Sequence, residues 1–264
     1  MNDLFSLSGR RALVTGANSC IGRALALGLA GQGAGLVLHH LGDAAEAESL
    51  QQKIKAGGRA ATLIEADFSE SGAVEALAAQ ALAEGPVDIL IANAAIERRA
   101  AWKGVTPVLV DAHVAVNFTS ILILMQKLVP AMADRGWGRV IATGSVLASR
   151  PRAETIVYAS LKSAQLTAIR AVAREVAGRG VTMNVIAPGA IETEANGWRY
   201  ADHAFRQAVV AKIPAGRPGR PDDCVGPVLM LCSDAGSYVT GASIPVDGGW
   251  TIGDATVPLP ELAA

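Results

Sequence analysis

The sequence predicts an α/β protein, with one doubly wound parallel sheet of about seven strands and helices on both faces. Short apolar runs alternate along the whole chain with longer stretches of helical period. The runs are continuously apolar, which fits strands buried on both sides. Hydrophobic residues make up 51% of the chain but aromatics only 4%, a composition that suits helices packed closely on a sheet. At 264 residues with no repeat and no dividing linker, 1–264 is expected to be a single domain.

Strands are expected at 12–15, 36–38, 61–64, 89–92, 140–143, 181–186 and 243–246, where the apolar runs are short. Helices are expected at 21–32, 44–55, 70–83, 108–134, 157–177, 203–212 and 222–233, where apolar residues recur at helical spacing. Pro and Gly gather at 214–221, a loop before the last helix, and Pro returns at 258–260. Segment 194–221 is read as a substrate loop or lid, and 254–264 as a C-terminal tail.

Composition also narrows the function. The net charge is −1 and acids and bases are interleaved, so no basic track is offered to a nucleic acid. The best uninterrupted apolar run, 121–125, ends at Gln126 and Lys127, well short of the roughly 20 residues of a membrane span. Met1 to Gly9 has neither a cationic start nor an apolar core, so no secretion signal is expected and the chain is read as cytoplasmic. Cys20, Cys224 and Cys232 are few and widely spaced, which argues against a disulfide framework and against a metal site.

In an open α/β sheet, ligands bind beyond the carboxyl ends of the strands. There the first strand opens through Thr15, Gly16, Ala17, Asn18, Ser19, Cys20, Ile21 and Gly22 into a helix. Glycines allow a tight turn, and a helix N-terminus favours a pyrophosphate. The second strand ends in His39, His40 and Leu41, without the acid that would hold an NAD ribose. A histidine could bond the extra phosphate of NADP, so the cofactor is read as NAD(P) with a lean to NADP.

Tyr158 and Lys162 are one helical turn apart and share a face. A phenol of pKa near 10 needs a nearby cation to act on protons at neutral pH, and Lys162 supplies one. Ser145 follows the strand at 140–143 and reaches the same crevice. Asn117 is a side-chain amide among apolar helical neighbours, an unusual placement.

Taken together these segments resemble the short-chain dehydrogenase/reductase family over nearly the whole chain, which implies a Rossmann-type fold. The glycine turn is similar to the family's TGxxxGxG, with Cys20 at the middle glycine, where a side chain would meet the phosphate. Asp67 and Phe68 resemble the pair set against adenine, and Ala92, Asn93, Ala94 and Ala95 the NNAG element. Pro188, Gly189, Ile191 and Thr193 match the stretch flanking the nicotinamide, and 246–249 the C-terminal signature. By this resemblance Asn117, Ser145, Tyr158 and Lys162 form the catalytic set. Tyr158 handles the proton, Ser145 orients the substrate, Lys162 lowers the phenol pKa and binds the ribose, and Asn117 holds a relay water.

The loops expected to meet substrate carry Glu97, Arg98, Arg99 and Trp102, then Leu147, Arg150, Arg152 and Glu154. The third carries Glu194, Asn196, Trp198, Arg199, Tyr200 and His203. Arginine-rich walls suit a hydroxylated or carboxylated small molecule, and residues 96–99 resemble members that oxidise gluconate, related sugar acids or polyols. The alternatives are a 3-oxoacyl thioester reductase and a non-catalytic dinucleotide-binding scaffold or sensor. The resemblance implies a homotetramer, or a homodimer, formed through the apolar helices 108–134 and 157–177.

Overall fold

The structure is a computed structural model and describes residues 4–253, so the expected tail at 254–264 lies outside the described residues. Seven strands form one sheet: β1 (Arg11–Val14), β2 (Gly35–His40), β3 (Ala61–Glu65), β4 (Ile89–Ala92), β5 (Gly138–Thr143), β6 (Val181–Pro188) and β7 (Ser243–Val246). The order is β3-β2-β1-β4-β5-β6-β7, and all six pairings are parallel. The order reverses between β1 and β4, which opens a crevice above their carboxyl ends.

The α-helices are α1 (Cys20–Gly31), α2 (Ala44–Ala56), α3 (Ala73–Ala83), α4 (Pro107–Val114), α5 (Ser120–Asp134), α6 (Ile156–Val176), α7 (Gly197–Tyr200), α8 (His203–Val210) and α9 (Val225–Cys232). Alternate strand residues divide the core in two. Leu13, Val37, Leu90 and Val140 join α3, α5 and α6 on one face, while Val14, Leu36, Ile89 and Ile141 join α1, α2 and α9 on the other. Strands β1, β2, β4, β5 and β6 therefore bury both of their faces, so their sequences run apolar without alternating, whereas β3 and β7 at the sheet edges are only partly buried.

Some expectations need correction. The helix expected over 108–134 is two helices joined by a π-turn, Ala115–Thr119, in which Ser120 N–H donates to Ala115 O. The helix expected from Glu70 starts at Ala73, behind Gly72 in the left-handed region. The last one opens as a 3-10 turn, Pro221–Cys224, before α9. The segment expected as a lid contains α7 and α8, and its base is pinned where Ile191 bridges Gly219.

The membrane reading also changes. Helical stretch Pro107–Asp134 is long and apolar enough to cross a membrane, with a mean hydropathy of 1.9 over its best window. Counting uninterrupted runs missed this because Gln126 and Lys127 are isolated polar residues. Its inner face packs in the core through Ile121, Leu124, Leu128 and Met132, as core helices of this composition do.

Gly22 marks the tightest point of the fold near the crevice. A Cβ there would meet Gly16 O at 2.1 Å and Asn93 Nδ2 at 2.9 Å. We expect Gly22→Ala to cost about 2 kcal/mol and lower the melting temperature by roughly 6 °C, measured by calorimetry.

Candidate active site

The crevice is built on a buried polar seam between β1 and β4. Thr15 Oγ1 donates to Ile91 O and accepts the N–H groups of Asn93 and Ala94 at 2.9 and 3.0 Å. Asn93 Nδ2 lies 3.1 Å from each of Thr15 O, Gly16 O and Ser19 Oγ. Ser19 caps α1: its hydroxyl accepts from Gly22 N–H and donates to Gly16 O. Cys20 is the first residue of α1 with no positive φ, so its backbone does not need glycine.

His39 corrects an expectation. It is 3% exposed, its Nδ1 accepts Gly16 N–H at 3.0 Å, and its Nε2–H donates to Ala66 O at 2.9 Å. Phe68 stacks on the ring at 4.2 Å. Burial pushes its pKa down to about 4, so it is a neutral strut of the turn with no N–H to spare for a phosphate. His40 is buried as well, with Nδ1 against Gly42 O, while Leu41 is exposed.

Two cavities follow. The first, of 370 Å³, is lined by Gly16, Asn18, Ser19, His39, Leu41, Asp67, Phe68, Asn93, Ala94, Ala95 and Arg98. Arg98 thus faces the side of Asp67 rather than the substrate side. The second, of 320 Å³, is lined among others by Ile21, Glu97, Arg99, Ser145, Arg152, Tyr158, Pro188, Gly189, Ile191, Thr193, Asn196, Arg199 and Trp250. Cys20 and His40 line neither cavity. Arg150 lines neither cavity and bonds Trp250 O at the edge of the second, and Trp198 is 71% exposed.

The four expected catalytic residues come from separate elements. Ser145 follows β5, and its Oγ accepts Leu147 N–H at 3.1 Å. On α6, Lys162 Nζ is fully buried, donates to Thr143 O at 2.7 Å, and lies 5.4 Å from the centre of the Tyr158 ring. Asn117, in the π-turn, grips Ile96 with both ends of its amide, each at 2.8 Å. One turn earlier His113 Nε2 accepts Arg98 N–H. Sequence reasoning missed His113, although its spacing from Asn117 on one helical face was a usable signal.

Electrostatics in the site run against both charges. Burial pushes the Tyr158 phenol above its ordinary value; Glu97 adds to this and a hydrogen bond with Ser145 opposes it. Burial pushes Lys162 down to about 7. The lowering of the phenol expected from Lys162 does not appear: desolvation sets the direction, and the opposing influence comes from Ser145. Among the described residues no cluster of His, Cys, Asp and Glu could hold a metal, and the three cysteines are free.

A family profile described as enoyl-(acyl carrier protein) reductase matches residues 16–251. A 2-dehydro-3-deoxy-D-gluconate 5-dehydrogenase of Pseudoalteromonas atlantica is 38% identical over 251 residues, covering 95% of this chain and 99% of the relative. The chain belongs to the short-chain dehydrogenase/reductase family. Solved structures of that family superpose on nearly all of it. A 3-oxoacyl (acyl-carrier-protein) reductase from Agrobacterium tumefaciens C58, with NADP bound, gives a TM-score of 0.89 at 39% identity over 93% of this chain and 95% of the other. A gluconate 5-dehydrogenase from Burkholderia cenocepacia J2315, in complex with NADP and tartrate, gives 0.87 at 35% over 95% and 98%. This short-chain dehydrogenase/reductase is an NAD(P)-dependent oxidoreductase acting on CH–OH groups.

Two outcomes test these electrostatics. The folded pKa of His39 is depressed, so its stabilising contribution is complete above the unfolded value near 6.5 and is lost as pH falls towards 4. In calorimetry, His39→Gln should flatten the fall in stability between pH 6.5 and 4, worth about 3 kcal/mol in the parent. Glu97→Gln removes a negative charge beside Tyr158 and should move the acidic limb of the kcat profile for alcohol oxidation to lower pH.

Proposed function

We propose that this enzyme interconverts a secondary alcohol and a ketone on a small sugar acid or polyol, using NADP. One observation carries the reading: Arg99, Arg152 and Arg199 converge with Asn196 on the cavity that holds Ser145 and Tyr158. Guanidinium groups pair with carboxylates in two-point geometry. The tartrate bound to the Burkholderia relative is a hydroxylated dicarboxylate of the same chemical class.

The cradle fits a dinucleotide. Gly22 leaves no room for a Cβ, and the N-terminus of α1 favours a pyrophosphate. Gly16, Asn18, Ser19 and Ile21 would hold that part, with Cys20 beside them. Leu41, Asp67, Phe68, Ala94 and Ala95 would hold the adenosine, and Pro188, Gly189, Ile191 and Thr193 the nicotinamide side. When bound, the nicotinamide supplies the hydride chemistry.

Tyr158 gives its proton to the carbonyl oxygen in reduction and takes it from the hydroxyl in oxidation. Ser145 Oγ holds the same oxygen and its hydrogen bond keeps the phenol aimed. Lys162, charged, opposes the desolvation that keeps the phenol protonated and binds the ribose. Asn117 keeps the loop at Ile96 in place and holds a water in the relay. Segment 194–221 covers the substrate.

A second reading, reduction of 3-oxoacyl thioesters, has its own support. A hollow of 510 Å³ lined by Trp102, Leu147, Arg152 and Ile156 shares Leu147 and Arg152 with the catalytic cavity and would take an acyl chain. The chain works in the cytoplasm as a homotetramer; Val108 on α4, Ile156 at the start of α6 and Trp102 in the turn before α4 are exposed and apolar, and pairing would bury them.

Turnover with NADP of gluconate-type acids against acetoacetyl thioesters separates the readings. A higher kcat/KM for the thioester would overturn the first. Tyr158→Phe should lower kcat at least 1,000-fold, by about 4 kcal/mol, with dinucleotide binding retained in thermal-shift titration. Light scattering should give a mass four times that of the chain, and a monomer would refute the assembly.

A further inference from the structure

One side chain on the buried face of α6 is left without a task by the chemistry above. Gln165 follows Lys162 by three residues, so the two share a side of the helix. It is 3% exposed, in a position where an apolar residue is the ordinary occupant. Its Nε2 donates to the backbone oxygen of Asn117, whereas its Oε1 is buried with no partner. Leaving a buried acceptor unpaired costs about 1–3 kcal/mol. An apolar residue would avoid that cost.

The π-turn explains the bond that is made. In the widened turn, where Ser120 N–H reaches back to Ala115 O, two carbonyls receive side-chain donors. Ser120 Oγ covers Val116 O at 2.6 Å, and Gln165 covers Asn117 O. Asn117 in turn grips Ile96. Gln165 is therefore anchored to the residue that holds the loop beside the catalytic cavity.

Lys162, on the same side of α6, offers a donor for the acceptor that is left over. Its ammonium has three N–H donors, and the hydrogen bond it makes in the structure goes to Thr143 O. Thr143 Oγ1 is a second buried oxygen without a partner. Of the titratable groups around Lys162, α6 supplies Tyr158 and the loop after β4 supplies Glu97, which acts on Tyr158. Strand β5 and the π-turn supply only the neutral groups of Thr143 and Asn117.

We propose that Gln165 is a positioning residue of the proton-handling set: its amide fixes the Asn117 carbonyl, and its free oxygen accepts, through one buried water, a hydrogen bond from the Lys162 ammonium. A water in such a place needs two to four polar partners, and Gln165 Oε1 and Lys162 supply two. The arrangement keeps the cation charged beside Tyr158 and makes or breaks no covalent bond. It rests on the roles of Lys162 and Tyr158 proposed above.

The test does not depend on turnover. In the full chain labelled with 13Cε-lysine, the Lys162 resonance, assigned by its loss in Lys162→Met, should titrate near pH 7. In Gln165→Leu, or Gln165→Met if that variant fails to fold, the midpoint should fall by about one unit, a tenfold change in proton affinity. The same variant should lose roughly tenfold in kcat at neutral pH with the KM for NADP unchanged. An unmoved Lys162 midpoint in a folded variant overturns the proposal, even if kcat falls. A shifted midpoint in a chain that shows no dehydrogenase activity supports it and sinks the functional reading instead.

Discussion

The carboxamide of Asn93 is the interaction on which the rest of the site depends. It stands at the seam where the sheet order reverses and, with Thr15, satisfies backbone groups of the first turn that a bare crevice would leave unpaired. Because Ser19 belongs to the same network, the start of α1 is set by the end of β4. The turn is held from its other side by His39, whose neutral ring accepts Gly16 N–H. The cradle is thus fixed by residues of three strands before any ligand arrives, the preorganisation that binding a charged group requires.

The proton-handling half follows another logic. Tyr158 and Lys162 sit where desolvation disfavours the charged form of each, so neither is poised by itself. Their neighbours adjust the balance: Ser145 favours the phenolate, Glu97 opposes it, and Thr143 O accepts from the ammonium. A site built this way responds strongly to small changes in local charge, because low-dielectric surroundings magnify each of them. The arginines beyond Tyr158 bring positive charge to the same cavity, so a substrate carboxylate would enter a field already arranged for an anion.

Much of this was legible in the sequence, and the exceptions have physical causes. Strands buried on both faces run apolar without alternation, so their number and parallel order could be read directly. Gly16 and Gly22 announced the turn because their local geometry admits little else. His39 could not be read correctly, since its burial depends on Phe68 and Ala66, delivered by the next strand. Arg98 and Arg99 are adjacent in an extended loop and point to different cavities, which composition cannot divide. The π-turn escaped because a single widened turn barely disturbs helical period, and Gln165 looked like an ordinary polar residue until its partner in that turn was known.

That widened turn also constrains how the chain can change over evolutionary time. Each residue of an α-helix advances the surface by about 100°, and a widened turn takes up one extra residue without passing that rotation on to the helix that follows. Deleting one position between Ala115 and Thr119 would restore regular winding with Leu124 and Leu128 still facing the core, but Asn117 would lose the turn from which it grips Ile96. An aligned homologue with a gap at this place would keep the same helix pair and hold its loop after β4 by another contact.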